Sequence, residues 1–493
     1  MLKEIDLTGE QKKVLFLPPQ GPIQIKGVAG SGKTTIALYR AKHLTETQND
    51  LFSTAKVVIF TFNKTLSAYI DAVKRHINTL YNQNGTSKTT SNGLNILVTN
   101  FHKWAYKFIG AQRDQVISSG EQLNILKQAI AKAKQQTPDS TILDKPIEFF
   151  KEEISWMKGK VFESQQEYID AVRSGRGTSD RVTKEHKAII WSVFTTYQDI
   201  MKSRDKIDFD DFALLSLNKI VQSPTFQAPF SHIVIDEAQD LNKAQILTIS
   251  KLVSSDTNSI TIIADSAQRI YKSGFTWKEV GINVQGARSV ALKKNYRNSL
   301  EIAQAAYSLL SHEKDTDDFT EHQTDHIKSG NKPRLIQFSS IKDEMEWLII
   351  GLKKMERKSK SVILHRTNEG VKKCHTALIN AGIEAEVISD NVNYFSNTIK
   401  LSTMSSIKGL EFDNVFILDL NDDIIPFPPG FVDDNDEFHV STERRLLYTC
   451  MTRAKRNLLM LSSGKPSRYL AEISNQFIEY EDRSSTMLIG KSL

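Results

Sequence analysis

The stretch GVAGSGKT, Gly27 to Thr34, has the residue types and spacing that hold a triphosphate. Gly27, Gly30 and Gly32 let the backbone turn tightly, so that its N–H groups and a helix N-terminus point at anionic oxygens. Lys33 then reaches the β and γ phosphates and the Thr34 hydroxyl suits Mg²⁺, with Ser31 and Thr35 completing the cradle. Far downstream, SHIVIDEAQD runs an apolar segment, Ile233 to Ile235, directly into Asp236, Glu237 and Asp240. An acidic pair at the end of a strand downstream of such a loop is where a nucleoside triphosphatase holds its metal. Asp236 fits the metal role, directly or through water, and Glu237 the general base that polarises an attacking water. The plainer readings are a chance glycine-rich turn and an acidic helix cap after a strand, and the flanking pattern argues against both.

These residues need particular elements around them. The apolar run Ile23 to Ile25 reads as a strand entering the loop, and TIALYRAKHL repeats apolar residues at helical spacing beyond it. Before them, LTGEQKKVLFL reads as a short helix with Thr8 as N-cap, on which Gln11 could present an amide to an adenine edge. AKVVIFTFNKTLSAYI and LNILVTNF each read as a strand breaking into a helix, separated by the low-complexity loop NQNGTSKTTSNG. Phe62 ends one strand, and Phe101, His102 and Trp104 end the other. Strand ends are where open α/β sheets present ligand contacts, so these aromatics either stack on bases or close the core, and the core reading is the more economical. From about Arg113 to Lys206 strand signals fade into charged helical sequence. A further strand, SITIIADSAQRIY, ends on Asp265, Gln268 and Tyr271, with Phe275 and Trp277 soon after, and SVALKKNYRNS follows.

Composition sets the outer limits. A chain of 493 residues has room for roughly three domains, each with its own core. With 40% hydrophobic and 25% charged residues it reads as a soluble globular protein. Two cysteines, Cys374 and Cys450, exclude a disulfide framework and a cysteine-rich zinc site and suit a reducing cytoplasm, the expected localisation. The N-terminus has no apolar leader, and no segment reaches membrane-spanning length. The net charge of +6 permits a polyanionic partner without demonstrating one.

The order of the motifs resembles that of superfamily 1 DNA helicases of the UvrD/Rep/PcrA family. The matching strings are TGEQ, GVAGSGKT, TFNK, VTNFHKWA, DEAQD, ADSAQRIY, LKKNYRNS, ILHRTN, LSTMSSIKGLEF and ERRLLYTCMTRAKRNLLML, from Leu7 to about Leu461. The resemblance implies an α/β fold: two RecA-like P-loop motor domains, with ATP and Mg²⁺ between them and single-stranded or partial-duplex DNA running across both. It further implies that Gln11 contacts adenine, Tyr296 stacks on it and Glu411 holds the ribose. Gln268 couples the γ phosphate to the DNA surface, and Arg297 and Arg453 act as arginine fingers. For DNA it implies Phe62, Phe101, His102, Tyr271 and Trp277 as stacking residues, with Thr403 and Arg366 near the backbone. Members of this family translocate 3′ to 5′.

The departures are equally specific. Thr367 to Leu401 holds only a helix, a strand and a short polar connection, where large relatives carry a long helical insertion that contacts the duplex. Ser405 stands where the family usually has a histidine, and SGFTWKEVG leaves open whether Phe275 or Trp277 is the base-stacker. The histidine-bearing segment Ser311 to Lys332 is too irregular for a metal site and reads as an exposed loop. The expected domains are a first motor domain over 1–110 and 207–285, a mainly helical insertion over 111–206, and a second motor domain over 286–493 with its own insertion nearly absent. The expected function is an ATP-dependent DNA translocase or helicase. One alternative is a DNA-stimulated ATPase switch subunit working with a partner nuclease, as in an anti-phage defence complex of the Gabija type. The other is a P-loop enzyme of another class, such as a small-molecule kinase.

Overall fold

The computed structural model describes residues 7–48, 54–62, 67, 70, 71, 96–172, 182–268, 275–284, 288–313, 329–355, 360–388, 396, 398–427 and 437–484. Two parallel sheets organise these residues. The first contains β1 (Ile23–Gly27), β2 (Val57–Thr61), β3 (Ile96–Asn100), β4 (His232–Ile235), β5 (Ser259–Ala264) and β6 (Ser289–Leu292), in the order β3-β2-β4-β5-β1-β6. Its pairings run parallel, which requires crossover segments on both faces. Hence β2, β4 and β5 are buried at every residue, so even their polar members Thr61, His232, Ser259 and Thr261 lie inside.

The second sheet contains β7 (Arg334–Gln337), β8 (Ser361–His365), β9 (Ala385–Val387), β10 (Ile399–Thr403), β11 (Phe412–Ile417), β12 (Ala454–Ser462) and β13 (Glu479–Asp482), in the order β13-β7-β12-β11-β8-β10-β9. The chain therefore holds two RecA-like α/β domains, as expected. The expected boundary at residue 286 falls one strand early. β6 pairs with β1 through Gln24–Ser289 to Gly27–Leu292, so the first sheet extends to Leu292. A four-residue strand does not say in sequence which sheet it joins; only its neighbour does.

Between β3 and β4 the helices Ser119–Gln136, Ile147–Lys160, Gln165–Asp170 and Lys184–Ser203 enclose a separate core that includes Ile125, Phe149, Phe150, Tyr168 and Tyr197. The insertion is tied to the first motor domain by a buried ionic knot. Lys158 Nζ lies 2.7 Å from both Asp208 and Asp211, and the Tyr197 hydroxyl donates to Asp208 at 2.8 Å. Burial opposes the Lys158 charge, but the two aspartates outweigh it and raise its pKa.

The two motor domains share buried surface. Ala29 and Ala267 of the first belong to the same apolar cluster as Ile302, Met404, Tyr448 and Met451. In the second domain the helix Asn368–Asn380 leads to β9, which pairs directly with β10. Eleven residues, 388–398, separate β9 from β10, in keeping with the expected loss of the second insertion. Among the described residues no helix is long and apolar enough to cross a membrane.

Candidate active site

The P-loop joins β1 to helix α2 (Lys33–Thr47). Gly30 and Gly32 adopt left-handed φ values of 77° and 82°. A Cβ at Gly30 would meet Asn295 Oδ1 at 1.9 Å, and one at Gly32 would meet Gln11 Nε2 at 2.6 Å, so both positions require glycine. Lys33 is buried, and its ammonium donates to Gly27 O at 2.9 Å, Val28 O at 3.0 Å and Asp265 Oδ2 at 2.9 Å. A lysine held by two carbonyls and a carboxylate is aimed at the site where the phosphates are expected.

β4 delivers Asp236 and Glu237 to the same place. Asp236 is fully buried, and its Oδ2 has no hydrogen-bond partner. Burial first, then the adjoining Glu237 carboxylate, push its carboxyl up to about 7, against the opposing pull of Thr34 and Lys33. A buried, unsatisfied carboxylate oxygen with the Thr34 hydroxyl nearby fits a hard divalent cation. Glu237 adopts φ 55° and ψ 40°, a left-handed conformation that is strained for a side chain of this size. Burial disfavours its charge, yet Lys408, Lys33 and Arg453 outweigh that penalty and hold it below the usual carboxylate range. It is thus an ionised base at neutral pH. Gln239 orients it, donating to Glu237 Oε2 at 2.6 Å while accepting from the Asp265 N–H at 3.1 Å.

The second domain closes the cleft. Gly30, Gly32, Lys33, Thr34, Glu237 and Gln268 line one wall, and Arg297, Gly409 and Arg453 the other. Arg453 is 1% exposed, donates to Thr449 O at 2.9 Å, and is pulled down to about 10 by burial and then by Arg297. Arg297 donates to Glu411 Oε2 at 2.9 Å. Burial alone would raise Glu411, but Arg297 and Lys455 together bring it down to about 2. Glu411, expected at the ribose, is therefore an ion-pair partner in this arrangement, holding one of the two arginines at the cleft wall. Gln268 Nε2 lies 3.5 Å from Thr452 Oγ1, next to Arg453.

Gln11 lies on α1 (Gly9–Leu15) and is buried. Its amide accepts from the Thr8 N–H at 3.0 Å and donates to Ser31 O at 2.9 Å, so it also braces the P-loop. Tyr296 is 41% exposed; its hydroxyl accepts from Thr8 Oγ1 at 2.9 Å, and its N–H donates to Gly30 O at 2.9 Å. Gln11, Thr8 and Tyr296 thus form one corner of the cleft.

Lys408 carried no role in the sequence reading beyond its place in the KGLEF string. Its ammonium crosses from the second domain to Asp240 Oδ2 at 2.6 Å and Gln268 O at 2.6 Å, with Glu237 Oε2 at 3.9 Å. Its burial, at 2% exposure, is visible only in the fold, and nothing in the string itself marks its partner.

Of the expected DNA residues, Phe62, Phe101, His102, Arg366 and Thr403 lie at or just after the C-terminal ends of β2, β3, β8 and β10, with two corrections. Phe101 is 1% exposed and belongs to the first domain's core, so its ring is not presented to a base. Arg366 is bound by Glu443 through Nε at 2.9 Å and Nη2 at 2.8 Å and lies 4.8 Å from the Phe427 ring centroid. A buried carboxylate thus competes with any phosphate for that fork. Phe62 is only partly buried, just after β2, and the hydroxyl of Thr403, the last residue of β10, donates to Ser406 at 2.9 Å. Phe275 and Trp277 pack edge to face at 5.7 Å, which keeps the choice between them open. Tyr271, Lys64 of TFNK and most of the histidine-bearing loop lie outside the described residues. His102 meets the ring of Phe209 edge-on at 5.7 Å, and Phe209, missed in sequence, is 57% exposed at the mouth of the insertion. Only the neighbouring His102 marks Phe209 as part of a surface.

Comparison with known proteins agrees with this geometry. Residues 7–276 match the UvrD/REP helicase N-terminal domain, and residues 290–398 and 389–465 match the UvrD-like helicase C-terminal domain. The chain belongs to the UvrD/REP helicase family. A probable DNA helicase II homolog of Mycoplasma capricolum is 24% identical over 412 residues, 78% of this chain and 52% of its own length. The ATP-dependent DNA helicase PcrA of Staphylococcus epidermidis is 22% identical over 418 residues, 77% of this chain and 51% of its own. PcrA of Staphylococcus aureus is 24% identical over 379 residues, covering 71% and 46%. This UvrD/REP family chain thus spans about half the length of these curated relatives.

Proposed function

We propose that the chain hydrolyses ATP with Mg²⁺ and uses the cycle to move along single-stranded DNA, 3′ to 5′ by carry-over from the family resemblance. The observation that carries the reading is the two-walled cleft, in which Lys33, Thr34 and Glu237 face Arg297 and Arg453 across a domain boundary. Closure brings both guanidinium groups onto the transferring phosphoryl group, so hydrolysis depends on domain position. Lys33 exchanges Asp265 for the phosphates, Gln11 and Tyr296 receive the base, and Thr34 and Asp236 hold the cation. A Mg²⁺ ion held there would supply charge neutralisation to the phosphates. Glu237, ionised and oriented by Gln239, takes the proton of the attacking water. Lys408 and Gln268 pass closure to the strand ends where Phe62, His102, Trp277 and Thr403 meet the DNA.

The domain assignment that supports this is a first motor domain over residues 7–110 and 207–292, a helical insertion over 111–206 and a second motor domain from 293. The short separation of β9 and β10, eleven residues, favours a second reading of the same site, in which DNA-stimulated turnover serves a partner protein with little strand separation by this chain alone. Steady-state ATPase activity with and without single-stranded DNA tests the proposal, with Glu237→Gln as control. DNA stimulation that is lost in the variant supports it. Turnover indifferent to DNA, yet lost in the variant, would leave an ATPase and reject the motor. A partial-duplex unwinding assay then separates the two motor readings.

A further inference from the structure

Arg40 takes no part in the steps above, yet it is among the largest fully buried side chains, at 1% exposure on α2. Among the described residues its guanidinium pairs with no carboxylate; Nη1 donates to Leu15 O and, at 2.8 Å, to Leu17 O, and Nη2 donates to Pro18 O at 2.8 Å. Burial pulls its pKa down to about 10. Burying a cation on carbonyls alone is costly, so the position calls for an explanation beyond packing.

The three carbonyls belong to the last residue of α1 and the turn after it. A seven-residue helix is not stable by itself in water, so α1 is held by its tertiary anchors. One anchor is Val14, fully buried in a cluster with Ile36, Ala37 and Leu44 of α2. Arg40 is the other, a cation on the carbonyl end of the helix, where the dipole favours it. At the opposite end, α1 touches the P-loop through Gln11 and reaches Tyr296 through Thr8. Arg40 therefore sits at the far end of a lever whose near end is the base-recognition corner.

We propose that Arg40 is a positioning residue for adenine, holding α1 against the P-loop helix so that Gln11 and Thr8 present one fixed pattern of donors and acceptors to the base. The inference rests on the reading of the cleft as an ATP site. A clamp that served folding alone would change stability without changing the preference among bases. A positioning residue changes that preference.

The experiment is equilibrium binding of ATP, GTP and inorganic tripolyphosphate to the full chain and to Arg40→Met and Arg40→Lys, with thermal melting of each. The wild type is expected to favour ATP over GTP. Arg40→Met is expected to lose about tenfold of that preference, Arg40→Lys part of it, while tripolyphosphate affinity, set by Lys33 and the loop N–H groups, changes by less than about threefold. If Arg40→Met does not fold, Arg40→Lys carries the comparison. A wild-type ATP-to-GTP ratio in the folded variants, or an equal loss for all three ligands, overturns the proposal, as does a wild type indifferent to the base. Failure of the ATP reading looks different: the wild type then binds none of the three ligands, and Lys33→Ala behaves no differently.

Discussion

Replacing Lys408 by Met would remove a cation that the second domain places against the carboxylates of DEAQD at short range. Its ammonium lies 3.9 Å from Glu237 and 2.6 Å from Asp240. At an effective dielectric constant of about 20, a pair of charges at the first distance interacts by about 4 kcal/mol, a ceiling of about 3 pH units on the Glu237 pKa. Lys33 and Arg453 remain in the variant and also lower Glu237, so the expected rise is smaller, at least about 1 unit. The sign is fixed by the chemistry. The base works ionised, so raising its pKa moves the acid limb of the rate profile upward. Loss of the cation also breaks the buried Lys408–Asp240 ion pair, which costs about 3–5 kcal/mol, weakens domain closure and lowers kcat. The assay is DNA-stimulated ATPase activity from pH 5 to 9 at saturating Mg²⁺, which keeps Asp236 ionised. The wild type is expected to hold its rate toward pH 5, whereas Lys408→Met loses rate between pH 7 and 5, and Lys408→Arg recovers part of it. Superimposable profiles with equal kcat would refute the claim that Lys408 governs the base.

Two other outcomes follow from the same geometry. Asp236 has a folded pKa raised to about 7, so between the ordinary carboxylate range and pH 7 the native state binds more protons than the unfolded chain, and stability falls as pH rises. Asp236→Asn should therefore be more stable than the wild type at pH 8 without divalent cations, by about 4 kcal/mol, and melt at a correspondingly higher temperature, with the gap closing toward pH 5. Added Mg²⁺ should raise the melting temperature of the wild type alone, and a pH-independent gap would reject the assignment. Phe209→Ala should weaken single-stranded DNA binding by about 1–3 kcal/mol, measured by fluorescence anisotropy, because it removes an exposed ring beside His102. As the side chain is 57% exposed, the melting temperature should hardly move, and unchanged DNA affinity would remove Phe209 from the interface.

The chemistry of this chain was legible locally because its parts are local. A P-loop needs left-handed glycines at set offsets from a lysine, and Gly30 and Gly32 have the required φ values. DEAQD follows the apolar run Ile233 to Ile235 because a central parallel strand is buried on both faces. The order of such motifs was enough to identify the family. What the sequence could not show is what parallel topology brings together: in the order β3-β2-β4-β5-β1-β6, strands far apart in the chain lie side by side. That is why β6 joined the first sheet against expectation, and why Phe101 turned inward while Phe209, more than a hundred residues later, came to lie beside His102. Charge pairing depends on the same proximity. Lys408 on Asp240, Arg297 on Glu411, Arg366 on Glu443 and Arg40 on the carbonyls after α1 are contacts between distant segments. An isolated lysine or arginine carries no record of its partner, since Coulomb energy depends on distance in space and on burial, and only the folded chain sets both.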